Sequence, residues 1–222
     1  MDKLELTTGR LAWDVKEGGE TLLQVSLQHP LISVEGHPLH SALNRCFSRT
    51  AENIGAALSQ DMLGEARAAA ELLPEALPYQ ISGSFTPTYN APGVLSFFTD
   101  VFLYAGGLRG ITHRYVSSFL TADGGTPLFL TALFPAGADI RRSVTDFVIE
   151  AYGRRQGLDA LPESTMAAVR DFYTPENVYL TENGLMVFYQ PQTIGPVAAG
   201  VLTFLMPYGE EGPFPPRTLL SK

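Results

Sequence analysis

The chain is poor in cysteine, in charged residues and in long apolar runs, and each shortage excludes a class of protein. One cysteine, Cys46, in 222 residues excludes an intrachain disulfide. It favours a reducing compartment or an export route that avoids disulfides. We expect Cys46 to be a small buried residue of a helix, because a reactive thiol needs an electropositive, partly exposed site. No apolar run of about 18 residues and no signal-peptide pattern is present, which predicts a soluble, cytoplasmic chain without a membrane span.

The charge balance is acidic, with 15 Lys and Arg residues against 23 Asp and Glu residues and a formal net charge of -8. Such a chain repels polyanions, so nucleic acid is excluded as the expected partner. The densest basic pairs, Arg141-Arg142 and Arg154-Arg155, stand beside acidic residues and predict a solvated helix face. The hydrophobic fraction of 45% is enough for a packed core and excludes a disordered chain.

Hydrophobic periodicity predicts a hairpin and then a long helix in the first third of the chain. Alternating apolar residues over 11–31 flank a turn at Gly18-Gly19, whose glycines can supply positive φ, and Pro30 ends the second strand. Residues 39–73 have the helical period, as one helix or as two with a break at Gly55 or Gly64.

The rest of the chain is expected to contain grouped strands and two shorter helices. Asn183-Gly184 indicates a type I′ turn between two strands near the end of the chain. The segment 209–216 is expected to fray or to wrap the surface. The predicted strands are 79–89, 94–103, 111–121, 128–130, 178–181, 185–190 and 201–206, and the predicted helices are 139–155 and 162–172.

Grouped strands predict an α+β fold with an antiparallel β-sheet and helices packed mainly on one face. No linker forces a boundary, so residues 1–222 are predicted to form one domain. Its N-terminal part, 1–94, contains the hairpin, the long helix and a strand. Its C-terminal part, 95–208, contains the glycine-rich motif, the helices and the last strands.

His113 and Asp100 are the candidates for catalysis. His113 follows a glycine cluster on a predicted strand, Asp100 is on the preceding strand, and Ser117 or Ser118 could supply a nucleophile. A catalytic triad needs these groups to converge, and no Gly-x-Ser-x-Gly motif is present. The alternative is a cross-strand polar pair on a solvated sheet face.

The remaining histidines cluster around prolines early in the chain. His29, His37 and His40 together with Glu35 could approach a metal ion, but they lack the spacing of His-Glu-x-x-His or paired Cys-x-x-Cys sites. The alternative is a loop that leads into a helix N-terminus. No metal and no cofactor is therefore predicted.

The segment Tyr104–Gly110 contains three glycines, Gly106, Gly107 and Gly110, between two strands. It lacks the spacing of dinucleotide-binding and P-loop motifs, so it predicts a bulge or a tight connection beside Tyr104. Arg109 could bind an anion over exposed backbone amides of this segment.

Aromatic residues are frequent on the apolar strands, and core packing is the first interpretation. Because adjacent residues of a strand point to opposite faces, one face of the sheet could instead display aromatic surface for a partner or a glycan. The residues concerned are Phe97, Phe98, Phe102, Tyr104, Phe188 and Tyr189.

Three segments in this order resemble the domain of unknown function 3298 family, the module that forms the C-terminal part of the lysozyme-sensing anti-sigma factor RsiV and accompanies some polysaccharide deacetylases. They are Tyr104–Gly110, Asp123-Gly124-Gly125 with Leu130–Phe134, and Gly184–Tyr189 with Gly195–Gly200. The resemblance covers roughly 95–208. More loosely, the N-terminal part is similar to a companion module, domain of unknown function 4163.

The resemblance implies a binding module associated with the cell envelope, and two residues depart from the family pattern. Arg109 stands where the family has His, and Val197 stands where it has Tyr after Pro196. The residues implied to contact a ligand are Tyr104, Gly106, Gly107, Arg109, Gly110 and Pro196.

The sequence thus supports three functions. The first is a non-catalytic binding or sensor module for a lysozyme-like protein or a cell-wall glycan. The second is a glycan or cell-wall hydrolase that uses His113 with a carboxylate. The third is a cytoplasmic structural protein without a ligand. The sequence leaves the oligomeric state and the compartment open.

Overall fold

The computed structural model describes residues 3–33, 40–107, 110–121 and 125–221. The chain divides into two compact units, each described by itself. The first unit contains Leu4–Thr86 and Thr99–Arg114, and the second contains mainly Pro87–Phe98 and Tyr115–Lys222. The prediction of a single domain stays a prediction.

The described residues form nine strands and three α-helices, which confirms the α+β class. In chain order the elements are β1 (Leu6–Glu17), β2 (Glu20–Ile32), α1 (His40–Leu72), β3 (Tyr79–Ala91), β4 (Val94–Tyr104), β5 (Ile111–Leu120), β6 (Thr126–Pro127), α2 (Ile140–Gln156), α3 (Glu163–Asp171), β7 (Val178–Leu180), β8 (Gly184–Tyr189) and β9 (Leu202–Pro207). The strands form a six-stranded sheet in the order β1-β2-β3-β4-β5-β6 and a three-stranded sheet in the order β7-β8-β9.

The predicted hairpin at the start of the first unit is present. Gly18 and Gly19 have φ of +60° and +93°, which is the pair of positive angles that a two-residue type I′ turn requires. The second strand was predicted to end at Pro30, but it continues to Ile32. Its pairing with β3 covers Leu23–Leu27, so Pro30 lies beyond that pairing, where a missing N–H interrupts no ladder to β3.

The helix α1 is continuous over 33 residues, so neither Gly55 nor Gly64 breaks it. It packs on β2 and β1, with Leu43, Phe47 and Leu58 among its buried residues. At Gly55 a side chain has no room, because an added Cβ would lie 2.5 Å from Cη2 of Trp13 on β1. The glycine is therefore explained by close packing of the helix against the hairpin.

One pair of strands is parallel, which the sequence reading did not predict. Leu23–Leu27 of β2 lie beside Tyr79–Gly83 of β3 and run in the same direction. Parallel neighbours need a long crossover connection, and α1 is that connection. The strands therefore form a mixed sheet rather than a purely antiparallel one.

The core of the second unit is built from α2, α3 and the three-stranded sheet. Val144 and Val148 of α2, Val169 of α3 and Val187 of β8 are fully buried in one apolar cluster. Tyr189 is in the same cluster, and its hydroxyl donates a hydrogen bond to the carbonyl oxygen of Val169 at 2.9 Å. Burial raises the pKa of Tyr189 above its ordinary value, so this phenol stays protonated and can donate.

A buried serine also connects β4 with β7 inside the second unit. The Oγ of Ser96 lies 2.8 Å from the Oγ of Ser118 on β5 and accepts a hydrogen bond from the N–H of Leu180 at 3.2 Å. Ser96 is fully buried, so these bonds replace the water that its hydroxyl has lost. Ser118, considered above as a nucleophile, is part of this connection.

Two predictions for the second unit are corrected. The turn between β7 and β8 is not type I′, because φ is not positive at Asn183 or Gly184. Instead the N–H of Thr181 donates to the carbonyl oxygen of Gly184 at 2.9 Å, and the Oγ1 of Thr181 accepts from the N–H of Asn183 at 3.3 Å. The predicted strand at 128–130 is also wrong, since β6 is Thr126–Pro127 and Leu130–Leu133 form a 3₁₀ turn.

The segment 209–216 wraps the surface rather than fraying. The N–H of Phe214 donates to the carbonyl oxygen of Leu133 at 2.6 Å, and Pro213 and Pro216 are buried. A 3₁₀ helix, Pro216–Ser221, follows. The end of the chain therefore belongs to the second unit.

Candidate functional site

A polar cleft of about 560 Å³ opens on one face of the sheet in the first unit. Polar side chains from β1, β2, β3, β4 and β5 line it, together with one aromatic ring. The lining residues are Arg10, Ser26, Gln28, Ser82, Gly83, Ser84, Asp100, Phe102 and Thr112. Its volume is within the usual range for small-molecule sites.

Strand alternation explains why these side chains share a face. All of them except Gly83 have even numbers, and Ser26 lies directly beside Ser82 in the β2–β3 register. The odd-numbered residues of the same strands, such as Leu27, Ile81 and Val101, are fully buried. The sheet in the first unit therefore has one apolar face and one polar face, and the cleft is on the polar face.

A salt bridge between neighbouring strands lies at the cleft. The Nε and Nη2 of Arg114 on β5 each donate to a carboxylate oxygen of Asp100 on β4, both at 2.7 Å. The side chain of Arg114 is 12% exposed and that of Asp100 is 30% exposed. This bidentate geometry fixes both groups and neutralises the carboxylate.

Arg10 supplies a second guanidinium group at the other side of the cleft. Its Nε donates to the Oγ of Ser26 at 3.1 Å. Arg10 lies opposite Gln28 in the β1–β2 register and is exposed. Among the described residues, neither terminal nitrogen of Arg10 has a hydrogen-bond or ion-pair partner, so both are available to a ligand.

Phe102 is the aromatic residue of the cleft, and its ring is 39% exposed. The ring packs over the backbone of Gly110, where an added Cβ would lie 2.2 Å from Cζ of Phe102 and 2.5 Å from the carbonyl oxygen of Leu103. Of the three glycines that were predicted to contact a ligand, Gly110 is the one that contacts a lining residue of the cleft. Its missing side chain leaves room for the exposed ring.

The other residues of the glycine-rich segment have different positions. The segment connects β4 to β5 rather than forming a bulge. Gly106 has φ of +72° and packs on Ala76, since an added Cβ would lie 2.5 Å from that residue's Cβ. Gly107 is exposed, with no atom within 4 Å of an added Cβ, and Tyr104 is half-buried. Arg109 lies outside the described residues.

His113 and Asp100 do not form the pair that a catalytic function requires. Asp100 is bonded to Arg114, the residue after His113. Successive residues of a strand point to opposite faces, so the imidazole of His113 is on the face away from Asp100. The polar pair that the sequence suggested was His113 with Asp100, whereas the observed pair is Arg114 with Asp100.

Burial lowers the pKa of His113 from its ordinary value. Folding therefore favours the neutral imidazole, and the unfolded chain binds the proton more tightly. His113 should decrease the stability of the fold as pH falls through about 6.5 towards the lowered pKa.

We expect His113→Gln, which cannot titrate, to lack this component of the pH dependence. Urea unfolding midpoints of both proteins between pH 5 and pH 8 measure it. The wild-type midpoint should fall relative to the variant's midpoint below about pH 6.5. A constant difference between the two midpoints over this range would contradict the burial of a neutral His113.

The histidines considered for a metal are only partly described. His29 is buried on β2, with its Nδ1 3.1 Å from the carbonyl oxygen of Pro30, and His40 begins α1. His37 and Glu35 lie outside the described residues, so the metal alternative is not tested. Among the residues that the structure describes, no group of three His, Cys, Asp or Glu side chains could hold a metal ion.

Most of the predicted aromatic residues belong to the core. Phe97 stacks on Phe119 with ring centroids 6.4 Å apart, and Phe188 and Tyr189 are buried. Phe98 contacts Tyr179 at 5.3 Å between centroids. Phe102 alone of the six is exposed, and the alternative of an aromatic surface for a partner or a glycan stays a prediction.

Three other predictions concern residues away from the cleft. Cys46 is exposed rather than buried, because the apolar stripe of α1 passes through Leu43 and Phe47. Arg142 and Arg154 form ion pairs with Asp146 and Glu150, as expected for a solvated helix face. Pro196 belongs to the second unit, where it precedes the 3₁₀ turn Val197–Ala199, and it does not line the cleft.

Several lining residues were missed in the sequence. Ser82 and Ser84 on β3, with Ser26 and Gln28 on β2, are the polar half of ordinary strand alternation, which indicates only a solvated face. They differ from an ordinary solvated face only in the folded sheet, where they line one cleft together with Arg10. The one local signal is the pair Ser82 and Ser84, two short polar residues on either side of a glycine in a strand.

Among the described residues, no helix combines the length and apolar character needed to cross a membrane.

One family model matches part of the chain. Residues 131–209 match the family model described as protein of unknown function (DUF3298). This range includes Thr131–Phe134 and Gly184–Gly200 of the predicted resemblance, which is confirmed there. It excludes Tyr104–Gly110 and every lining residue of the cleft. A search of curated proteins finds no match.

Two solved structures share the fold over nearly the whole chain. A DUF3298 family member from Bacteroides fragilis superposes with a TM-score of 0.64 at 16% identity, over 93% of this chain and 91% of that one. A DUF3298 family protein from Pseudomonas aeruginosa PAO1 has a TM-score of 0.60 at 16% identity, over 91% of both chains. The likenesses to RsiV and to domain of unknown function 4163 stay predictions.

Proposed function

We propose that this chain is a non-catalytic binding module and that the cleft of the first unit binds a glycan, such as a cell-wall polysaccharide. The observation that carries the proposal is the combination of an exposed aromatic ring with a polar lining. Sugars present an apolar ring face and a rim of hydroxyl groups. Phe102 can stack against the face, while the lining serines, Gln28 and Thr112 can exchange hydrogen bonds with the rim.

The composition of the cleft favours a glycan over a protein ligand. A stable protein interface buries about 800 Å² on each partner around a largely apolar centre. The cleft has Phe102 as its one large apolar side chain, and its other lining residues are polar or glycine. A lysozyme-like partner, which the family resemblance implies, would need more apolar surface than the described lining of the cleft offers.

The carboxylates at the cleft favour binding over hydrolysis. Glycoside hydrolysis ordinarily uses two carboxyl groups, one on each side of the bond that is cleaved. Asp100 is the one carboxylate among the described residues that line the cleft, and Arg114 holds it in an ion pair. A carboxylate fixed in this way is suited to accept hydrogen bonds from sugar hydroxyls rather than to transfer protons.

Titration calorimetry with a chitin tetrasaccharide and a hyaluronan tetrasaccharide tests this function. We expect saturable binding of at least one of them without turnover, and Phe102→Ala should weaken it about tenfold because the stacking surface is lost. Phe129→Ala removes another aromatic ring, 68% exposed and outside the cleft, and should leave the affinity unchanged.

Three outcomes would contradict the proposal. The first is that neither tetrasaccharide binds, which would favour a protein without a glycan ligand. The second is equal loss of affinity in the Phe102 and Phe129 variants, which would place the ligand elsewhere. The third is hydrolysis of either tetrasaccharide, detected by mass spectrometry of the products, which would favour the hydrolase.

A further inference from the structure

We infer that the glycan is acidic and that Arg10 binds a carboxylate on one of its sugar rings. This inference rests on the proposed function and adds the chemical class of the ligand. It follows from the charges at the cleft rather than from its shape.

The cleft carries a net positive charge, although the protein as a whole is acidic. The lining holds one cation, Arg10, and one carboxylate, Asp100. The positive charge of Arg114, whose guanidinium group donates two hydrogen bonds to the carboxylate, neutralises it. Among the described residues at the cleft, Arg10 is therefore the uncompensated charge, although the chain as a whole carries a formal net charge of -8.

The nearest acidic residue on the same face of β1 does not compensate Arg10. Asp14 is four residues further along the strand, about 13 Å away at the rise of an extended chain. Its carboxylate lies 3.8 Å from the Nζ of Lys16, which offsets its charge. Gln28, the residue opposite Arg10 on β2, is uncharged.

Arg10 is also held in a geometry that suits a carboxylate. The hydrogen bond from its Nε to Ser26 holds the guanidinium group on the polar sheet face. The two terminal nitrogens then form a planar fork that matches the two oxygens of a carboxylate. A sugar acid that stacks on Phe102 would present its carboxylate at the rim of the ring, where such a fork can bind it.

The test compares a hyaluronan tetrasaccharide, which has carboxylates on alternate rings, with the same tetrasaccharide after reduction of its carboxylates to primary alcohols. Calorimetry should show at least fivefold tighter binding of the acidic form to the wild-type protein, on the scale of a charge-assisted hydrogen bond. Arg10→Gln should lose about tenfold in affinity for the acidic form and keep its affinity for the reduced form. Arg10→Lys should lie between, because ammonium lacks the fork.

Arg155→Gln is the matched control, because it removes the same charge from an exposed position on α2, outside the cleft. It should leave both affinities unchanged. Thermal unfolding of each variant verifies that the fold is intact.

The failures of the two proposals are distinguishable. Equal binding of both forms, or equal weakening of both by Arg10→Gln, would overturn the acidic ligand while a loss in Phe102→Ala still supported the glycan site. If neither hyaluronan form binds while the chitin tetrasaccharide does, only the acidic ligand is overturned. If none of the three oligosaccharides binds, both proposals are overturned.

Discussion

Gly184→Ala is expected to destabilise the protein by about 3 kcal/mol, at the upper end of the effects of overpacking. An added Cβ would lie 2.3 Å from the carbonyl oxygen of Met206 and 3.0 Å from Cα of Pro207, both in β9. These are backbone atoms of the paired strand and cannot move aside as a flexible side chain can. The methyl group therefore has to separate β8 from β9 at the edge of the buried core.

Urea unfolding measures this effect, and Gly209→Ala is its control. Gly209 is in the same unit, and the nearest atom to its added Cβ, the carbonyl oxygen of Gly212, is 4.0 Å away. The control should change the free energy of unfolding by no more than about 0.5 kcal/mol. If the two variants unfolded at the same urea concentration, the close approach of β9 to Gly184 would be wrong.

Gly110→Ala should abolish most glycan binding, although Gly110 itself does not line the cleft. The added Cβ would occupy the position of the Phe102 ring, 2.2 Å from Cζ, and would lie 2.5 Å from the carbonyl oxygen of Leu103. The ring can swing away, but it then leaves the place where it would stack on a sugar. We expect a loss of affinity of tenfold or more and a destabilisation of about 1–3 kcal/mol.

Gly107→Ala separates this explanation from a direct role of the glycine-rich segment. Gly107 is three residues earlier, exposed, and has no atom within 4 Å of an added Cβ. Calorimetry with the tetrasaccharide that binds should therefore show the wild-type affinity for Gly107→Ala. Equal losses in both variants would mean that the segment, rather than Phe102, contacts the ligand.

Local sequence signals predicted the parts of the fold that depend on neighbouring residues. Gly18-Gly19 predicted its hairpin because a type I′ turn needs two positive φ angles. The helical period predicted α1, whose apolar stripe packs on the hairpin. Asn183-Gly184 has the same local signal but does not form a type I′ turn. Gly184 has no positive φ, and its lack of a side chain is explained by the close approach of the Met206 backbone on β9.

Features that depend on pairing between distant residues were not predicted. The parallel alignment of β2 with β3 is set by where α1 returns the chain, which no local pattern reports. The partner of Asp100 depends on the register of β4 against β5. A shift of one residue in that register would place His113 instead of Arg114 beside Asp100, because successive residues of a strand face opposite sides of the sheet.

Only a small part of the cleft was predicted from the sequence. Asp100 and Phe102 were singled out, and Gly110 contacts the ring of Phe102. Arg10 was missed because it is distant in sequence from the residues it joins. Its position opposite Gln28 and its bond to Ser26 require the folded sheet.

A heteronuclear NMR titration of the whole chain with the hyaluronan tetrasaccharide, repeated with the chitin tetrasaccharide, shows whether the cleft of the first unit is the ligand site. We expect saturable shifts of backbone amides at Arg10, Ser26, Ser82, Phe102 and Thr112. Saturable shifts confined to residues 131–209, the part that matches the family model, would contradict this assignment, as would titrations in which neither tetrasaccharide shifts an amide.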